Sequence, residues 1–325
     1  MLAQIATFIY KQILNSKHKL SFKIYAKLRT LLLRFIDPLI TLKFRGYTLS
    51  MPFSHTIFIN QKLYPTYDMQ LHKIVHYIAQ KMGSIHIIDV GANIGDTAVF
   101  MNMPQAQFLL IEGEKSYNAL IETNFYRHYG EAIRGGDTYK LIIENSFITD
   151  ARDSYIVTRY DGSAKLQRSA VDSIDSQTTN DIAKSIQSQS PEFHTLDSLV
   201  AKHQFSPNFI KIDTDGFDFK VIRSATHTLQ THKSALFFEW DLFFLQAQNE
   251  DPTSIFTHLK SLGYTKLLIF DNFGNPLVVV DSDNTANLSL LLDYTRKSNK
   301  HIYYYDVLAL HQDTPLDIWE CAELF

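Results

Sequence analysis

The chain has 325 residues and a formal net charge of −3 at pH 7, and 45% of its residues are hydrophobic. This composition is ordinary for a globular protein with a full core, and the body of the chain lacks the basic, aromatic-rich patches typical of nucleic-acid-binding proteins. The single cysteine, Cys321, excludes an internal disulfide and any thiolate metal cluster.

The first fifty residues differ in charge from the rest of the chain. They contain nine Lys or Arg residues and one acid, Asp37. We interpret residues 1–67 as a basic helical N-terminal extension, because apolar residues recur at helical spacing beside a basic stripe and the pattern ends near Pro38. The apolar positions are Ile24, Leu28, Leu31, Leu32, Phe35 and Ile36, and the basic ones are Lys23, Lys27 and Arg34.

Two interpretations of this amphipathic helix remain open. Residues 1–36 either make peripheral contact with an anionic membrane surface or pack on the body of the protein. No segment reaches the roughly 18 uninterrupted apolar residues that span a bilayer, and the N-terminus lacks the ordered parts of a signal peptide. The sequence therefore predicts a cytoplasmic protein, in the first interpretation at the inner face of the membrane. It leaves the oligomeric state open.

In residues 68–325 we expect one catalytic domain in which helices and strands alternate. A helix from Leu71 ends at Gly83, and the apolar segments that follow predict strands separated by helices. Alternation of this kind predicts an α/β fold, a mostly parallel sheet with helices on both faces. Residues 162–191 are polar and without a period, and they predict a long flexible loop that is either a lid or disordered.

Residues 87–96, with the sequence IIDVGANIGD, indicate a cofactor site. An apolar strand there breaks into a turn with Gly91 and Gly95, which allow the backbone to approach a ligand, and a helix follows. A second apolar strand ends at Glu112, where a carboxylate can bind ribose hydroxyls. Asn93 replaces the second glycine of a dinucleotide site. Its side chain crowds a diphosphate but suits S-adenosylmethionine (SAM).

Acidic residues follow two later strands, near the carboxyl ends where α/β sheets bind ligands. Asp213, Asp215 and Glu239 are candidates for aligning an acceptor or taking its proton, and Lys211 can tune their pKa values. Alternatively, Asp213 only holds the amino group of the cofactor, while Glu239 and Asp241 cap strand ends. A third alternative, less favoured, is that the four acids bind Mg²⁺.

The histidines give little support to a metal site. The chain has thirteen, and they show no compact ligand spacing. We therefore predict no metal ligands. His194, beside the predicted loop, is a candidate that mutagenesis can test.

Five segments, taken in this order, resemble the FkbM-type family of SAM-dependent methyltransferases. They are IIDVGANIGD, FLLIEGE, HTLDSLV, FIKIDTDGFDFKVIRSA and LFFEWD, and the resemblance covers residues 85–310. It implies a class I methyltransferase fold, with a seven-stranded, mostly parallel sheet that ends in an antiparallel hairpin. It also implies O-methylation of a hydroxyl on a sugar, glycolipid or surface polysaccharide, in bacteria.

The resemblance implies roles for individual residues as well. It places the 89–96 turn around the methionine part of SAM, Glu112 on the ribose, and Asn145 and Ser146 beside the adenine. The cofactor-binding residues expected in the turn are Asp89, Gly91, Ala92, Asn93, Gly95 and Asp96. Asp215 and Asp218 stand where the family pattern has glutamates. A second hypothesis is therefore a partner in a glycan-assembly complex that binds the cofactor without catalysis.

Overall fold

The computed structural model describes residues 2–130, 141–150, 155–160, 163–168, 192–297 and 301–325. Its described residues form fourteen strands, of which eight make the central sheet. In chain order they are β1 (Leu39–Phe44), β2 (Tyr47–Pro52), β3 (His86–Val90), β4 (Gln107–Ile111), β5 (Leu141–Glu144), β6 (Phe147–Ile148), β7 (Tyr155–Tyr160), β8 (Ser163–Arg168), β9 (Phe193–His194), β10 (Phe209–Ile212), β11 (Ala235–Trp240), β12 (Lys266–Asp271), β13 (Pro276–Asp281) and β14 (Tyr305–Leu310).

The strand order of the central sheet is β13-β12-β14-β11-β10-β3-β4-β5. The five strands from β11 to β5 are parallel, whereas β14 runs antiparallel between β11 and β12. The predicted class I methyltransferase fold is thereby confirmed, although the sheet has eight strands where seven were expected. The Asp271 carboxylate accepts the N–H groups of Phe273 and Asn275 in a tight turn, and the resulting hairpin adds β13 at the edge.

Helices cover both faces of this sheet. Alternate residues of β3 point to opposite faces, so Ile88 packs in one hydrophobic cluster with α7 to α12 and Ile87 in another with α4, α5, α6 and α13. The helices of the described residues are α1 (Leu2–Asn15), α2 (Lys19–Leu33), α3 (Ile57–Leu63), α4 (Gln70–Met82), α5 (Asp96–Met101), α6 (Asn118–Tyr129), α7 (Leu196–His203), α8 (Asp218–Ser224), α9 (Thr226–His232), α10 (Leu242–Ala247), α11 (Ser254–Ser261), α12 (Thr285–Lys297) and α13 (Ile318–Ala322).

The N-terminal extension is helical only in part, since β1 and β2 form an antiparallel hairpin inside it. The extension packs on the catalytic domain through a third hydrophobic cluster. In that cluster Tyr10 of α1 and Phe53 after β2 meet Phe100 of α5, and all three side chains are fully buried. No described helix is long and apolar enough to cross a membrane.

The prediction of a loop at residues 162–191 is wrong in its first part. Ser163–Arg168 forms β8, whose backbone pairs antiparallel with β7 (Tyr155–Tyr160). This segment lacks a strong apolar alternation, so the pairing could not be seen in the sequence. Residue 162 and residues 169–191 lie outside the described residues.

Candidate active site

A cavity of about 260 Å³ lies at the carboxyl ends of the central parallel strands. Residues that directly follow three neighbouring strands line it: Gly91 after β3, Glu112 after β4 and Asp213 after β10. Ligands bind at this end of open α/β sheets because the loops diverge there and leave a crevice. The structure therefore brings together the two halves of the motif that the sequence analysis identified.

The turn after β3 is held in a conformation that few residues tolerate. Gly91, Asn93 and Gly95 all have positive φ, at 82°, 49° and 77°. A Cβ atom at Gly91 would lie 1.9 Å from the backbone oxygen of Asp213, so only glycine fits at this crossing point. Gly95 is the N-cap of α5, whose first turn carries the predicted Asp96. Ala92 is buried within the turn.

Glu112 fixes this turn through its carboxylate. One oxygen, Oε2, accepts the N–H of Asn93 at 2.8 Å, and Oε1 accepts the N–H of Glu114 at 2.7 Å. Burial raises the pKa of Glu112 to about 7, although both N–H groups favour the charged form. The side chain also lines the cavity, so the same carboxylate supports the turn and faces a ligand.

Lys211, which lines the cavity, joins two carboxylates. Its Nζ lies 3.0 Å from Oδ1 of Asp89 and 3.5 Å from Oδ2 of Asp213. Burial alone would lower the pKa of Lys211, but the two carboxylates raise it above the ordinary value. Burial also raises the pKa of Asp89, which is fully enclosed and has Lys211 as its cation. Asp89 does not line the cavity, and its contact with a cofactor stays a prediction.

The acids after β10 and near the end of β11 occupy different surroundings. Asp213 and Asp215 line the cavity, and Asp213 keeps about half of its side chain exposed. Glu239 lies outside the cavity lining, with a buried Oε2 that has no hydrogen-bond partner in the described chain. Burial, with Asp213 and Asp218 nearby, raises its pKa well above the ordinary value. A catalytic role for Glu239 stays a prediction.

Asp241 serves a local structural purpose. Its Oδ1 accepts the N–H groups of Phe243 and Phe244 at 2.7 and 3.0 Å, so it caps α10. The sequence analysis offered a cap on a strand end as one alternative, and the structure shows a helix cap. Within the described ranges no group of three or more His, Cys, Asp or Glu residues is arranged to hold a metal ion.

The predicted adenine side of the site is built by the segment after β5. Ser146 and Phe147 line the cavity, while the side-chain amide of Asn145 donates to the backbone oxygens of Glu112 and Gly113 at 2.8 and 3.1 Å. A Cβ atom at Gly113 would lie 2.2 Å from the Phe147 ring. The Glu-Gly pair therefore leaves room for this ring. His194 lies in β9, away from the cavity lining.

Part of the cavity wall comes from residues that the sequence analysis did not find. His55, Asn60, Tyr67 and Asp68 line the same cavity as Asp213. Burial, with Asp96 and Asp213 nearby, raises the pKa of Asp68 to about 8. Burial also lowers the pKa of His55, so its imidazole is neutral at pH 7.

Comparison with known families assigns the chain to one of them. Residues 89–266 match the model of the methyltransferase FkbM domain. The chain belongs to the FkbM methyltransferase family. As predicted, this FkbM methyltransferase uses SAM as its cofactor, and its sheet order is that of a class I methyltransferase. No curated protein matches the sequence.

Solved structures show more distant similarity to this FkbM chain. The methyltransferase FkbM from Methylobacillus flagellatus KT is 15% identical with a TM-score of 0.31, over 48% of this chain and 33% of that one. The chain thus covers about a third of that protein. A SAM-dependent methyltransferase from Agrobacterium tumefaciens is 8% identical with a TM-score of 0.40, over 85% and 71% of the two chains. The precorrin-6y C5,15-methyltransferase from Geobacter metallireducens GS-15 is 10% identical with a TM-score of 0.32, over 70% and 81%.

Proposed function

We propose that the protein transfers the methyl group of SAM to a hydroxyl of a sugar, glycolipid or surface polysaccharide. One observation carries the proposal. A single cavity is lined by Gly91 and Glu112, which suit a methyl donor, and by Asp68 and Asp213, which suit a hydroxyl acceptor.

Glu112, Asn93 and Gly91 fit SAM. Each oxygen of Glu112 accepts one backbone N–H and keeps a second lone pair for a ribose hydroxyl. The side chain of Asn93 lines the cavity beside His55, where its amide can bind a ligand. Gly91 lets the backbone pass close to the ligand. When bound, SAM supplies a methyl group on a sulfonium, an electrophile that needs no activation by a metal.

Asp213 and Asp68 supply groups for the acceptor. Methyl transfer to a hydroxyl requires alignment, which can contribute ~7–11 kcal/mol, and a proton acceptor, which typically adds about 10²–10⁴-fold. Asp213 offers an exposed carboxylate held in position by Lys211. Asp68, with a pKa raised to about 8, keeps its proton near neutral pH and can donate a hydrogen bond to an acceptor oxygen.

Polar groups dominate the part of the cavity wall that contains His55, Asn60 and Asp68. This polarity favours an acceptor with several hydroxyls. Asn60 and neutral His55 both donate and accept hydrogen bonds, and the carboxylates accept them. A purely apolar acceptor would leave these groups without partners at a cost of about 1–3 kcal/mol each. The wall therefore supports a sugar-type acceptor over a hydrocarbon.

Transfer of a tritiated methyl group from SAM into bacterial cell-envelope extract tests the proposal. We expect label in a product that survives mild alkali, because an ether is stable there and a methyl ester is not. Asp213→Asn should reduce the rate by roughly 10²-fold or more, the effect of losing a general base. Glu122→Gln, on the exposed face of α6, is the control and should leave it unchanged.

Two outcomes would contradict the proposal. Alkali-labile label would indicate a carboxyl acceptor. Binding of S-adenosylhomocysteine (SAH) without any transfer would favour the non-catalytic partner of a glycan-assembly complex.

A further inference from the structure

Helix α2 has two apolar faces, and only one of them packs on the protein. Phe22, Tyr25 and Leu32 are partly buried against the third hydrophobic cluster. Arg29 on the same face donates to the backbone oxygens of Phe53 at 3.1 Å and of Ser54. The helix is therefore fixed in orientation by its inner face.

The outer face of α2 is apolar and exposed, and Phe35 continues it beyond the end of the helix. Leucine, isoleucine and phenylalanine recur there every three or four residues, which places them in one strip along the helix. The strip consists of Leu20, Ile24, Leu28, Leu31 and Phe35, with exposed fractions of 40–78%. Most of the apolar face that the sequence analysis identified thus points outward, while different residues make the packing contact.

A basic stripe runs beside this strip. Lys19, Lys23, Lys27 and Arg34 are all exposed, and their spacing places them on one side of the outer face. No Asp or Glu precedes Asp37 in the sequence, so the surface has no negative charges of its own on this segment. The outer face of α2 therefore combines an apolar strip with a stripe of positive charge.

We propose that the outer face of α2 lies on an anionic lipid bilayer. A bilayer surface satisfies both features, since the acyl boundary takes up the apolar side chains and anionic headgroups neutralise the lysines. A second copy of the chain fits less well, because two such helices would bring like charges together. The contact is peripheral, because no described helix is able to cross a membrane.

This surface also connects to the cavity. Arg29 on the inner face of α2 binds the segment next to His55, and the hydroxyl of Tyr10 in α1 donates to the backbone oxygen of His55 at 2.8 Å. One helix thus carries the lipid-facing strip and holds the cavity wall. The proposal concerns binding and does not depend on which acceptor is methylated.

Sedimentation of the full chain with vesicles tests the proposal. Vesicles of phosphatidylcholine with and without phosphatidylglycerol are compared at low and high salt. We expect binding to the anionic vesicles only, weakened by salt. Replacing Lys23 and Lys27 by Gln should lower the partition coefficient by about fivefold per lysine. Replacing Leu28 and Leu31 by Ser should lower it by roughly tenfold or more per residue.

Matched controls use another exposed helix. Leu290 and Tyr294 of α12 are 65% and 54% exposed, and their replacement by Ser should leave vesicle binding unchanged. Because all the substituted side chains are exposed, the variants are expected to fold, which thermal melting checks. Equal binding to neutral vesicles, or binding that survives the α2 substitutions, would overturn the proposal. So would sedimentation equilibrium showing a dimer that the Leu28 and Leu31 substitutions dissolve.

Discussion

Glu112 positions two backbone N–H groups and faces the cavity with the same carboxylate. Asn93 has a φ of 49°, a conformation that a non-glycine residue adopts only when its surroundings favour it. The N–H bond to Glu112 is part of those surroundings. If Glu112 also contacts the ribose, one side chain would hold both the turn and the cofactor.

Replacement of Glu112 by Gln should weaken SAH binding. One of the two N–H groups would then face an amide NH₂ in place of an acceptor, and the charge-assisted bond to the ribose would be lost. We expect a loss of about 1.5–3 kcal/mol in binding free energy, measured by titration calorimetry. Glu122→Gln is the control. Unchanged affinity in Glu112→Gln would remove this residue from the ribose.

Asp68 makes the stability of the protein depend on pH. Its pKa rises from 3.8 to about 8 on folding, so between these values the folded chain keeps a proton that the unfolded chain releases. The free energy of unfolding should therefore fall as pH rises through this window. Asp68→Asn removes the titration and should flatten the profile, measured by urea unfolding at several pH values. Parallel profiles for the two proteins would contradict the raised pKa of Asp68.

At the scale of single elements, the turn after β3 depends on glycine at one position in particular. Gly83, which ends α4, has nearly the same φ as Gly91, at 80° against 82°. A Cβ atom at Gly83 would meet open space, whereas at Gly91 it would meet the backbone of Asp213. The two sites separate the cost of the backbone conformation from the cost of the steric contact.

Gly83→Ala should lower the free energy of unfolding by roughly 1–2 kcal/mol, the cost of a positive φ for a residue with a Cβ. Gly91→Ala should cost clearly more, because the β3 turn and the Asp213 loop must also move apart. Urea unfolding of the two variants measures the difference. Equal losses would mean that the close approach of these loops contributes nothing to stability.

Local patterns explain which elements the sequence could predict. The segments around Asp89, Glu112 and Asp213 carry strong apolar runs that end in turn residues, and the structure has strands there. The β1-β2 hairpin was not predicted because its two-residue turn is Arg45-Gly46. Both residues have positive φ, at 49° and 92°, a conformation for which Asn-Gly is the usual signal.

The cavity wall formed by His55 and Asp68 could not be predicted for a different reason. Neither residue lies in a motif. His55 reaches the site because the extension packs on α5 and α6 through residues distant in the sequence, and Asp68 lies where the extension joins the catalytic domain. Gly91 and Glu112, which we propose bind the methyl donor, could be predicted because they lie in motifs that follow one another along the chain. His55 and Asp68 depend on tertiary packing.

At the scale of the whole molecule, the extension and the catalytic domain share one site. The segment that carries His55 is fastened on three sides, by Tyr10 of α1, by Arg29 of α2 and by Asp37, whose carboxylate accepts the N–H and hydroxyl of Ser54. The extension therefore contributes to the cavity wall that we propose for the acceptor as well as to the fold.

Arg29→Met should loosen this wall without disturbing the donor side. We expect a raised KM for the acceptor fraction and unchanged SAH affinity, because Arg29 donates to the segment next to His55. Loss of a charged hydrogen bond costs about 1.5–3 kcal/mol. Arg34→Met, on the exposed side of the extension, is the control in assays without lipid. An equal loss of SAH affinity in Arg29→Met would show that the extension supports the donor side instead.

Titration of the intact protein with SAH tests most directly whether the cavity between Gly91, Glu112 and Asp213 is the methyl-donor site. We expect one-site binding that adds about 2.7 kcal/mol of stability at 100 times the Kd. Binding should persist in Gly83→Ala and be lost in Gly91→Ala. A folded wild-type protein that does not bind SAH, or one whose binding survives both Gly91→Ala and Glu112→Gln, would contradict this assignment.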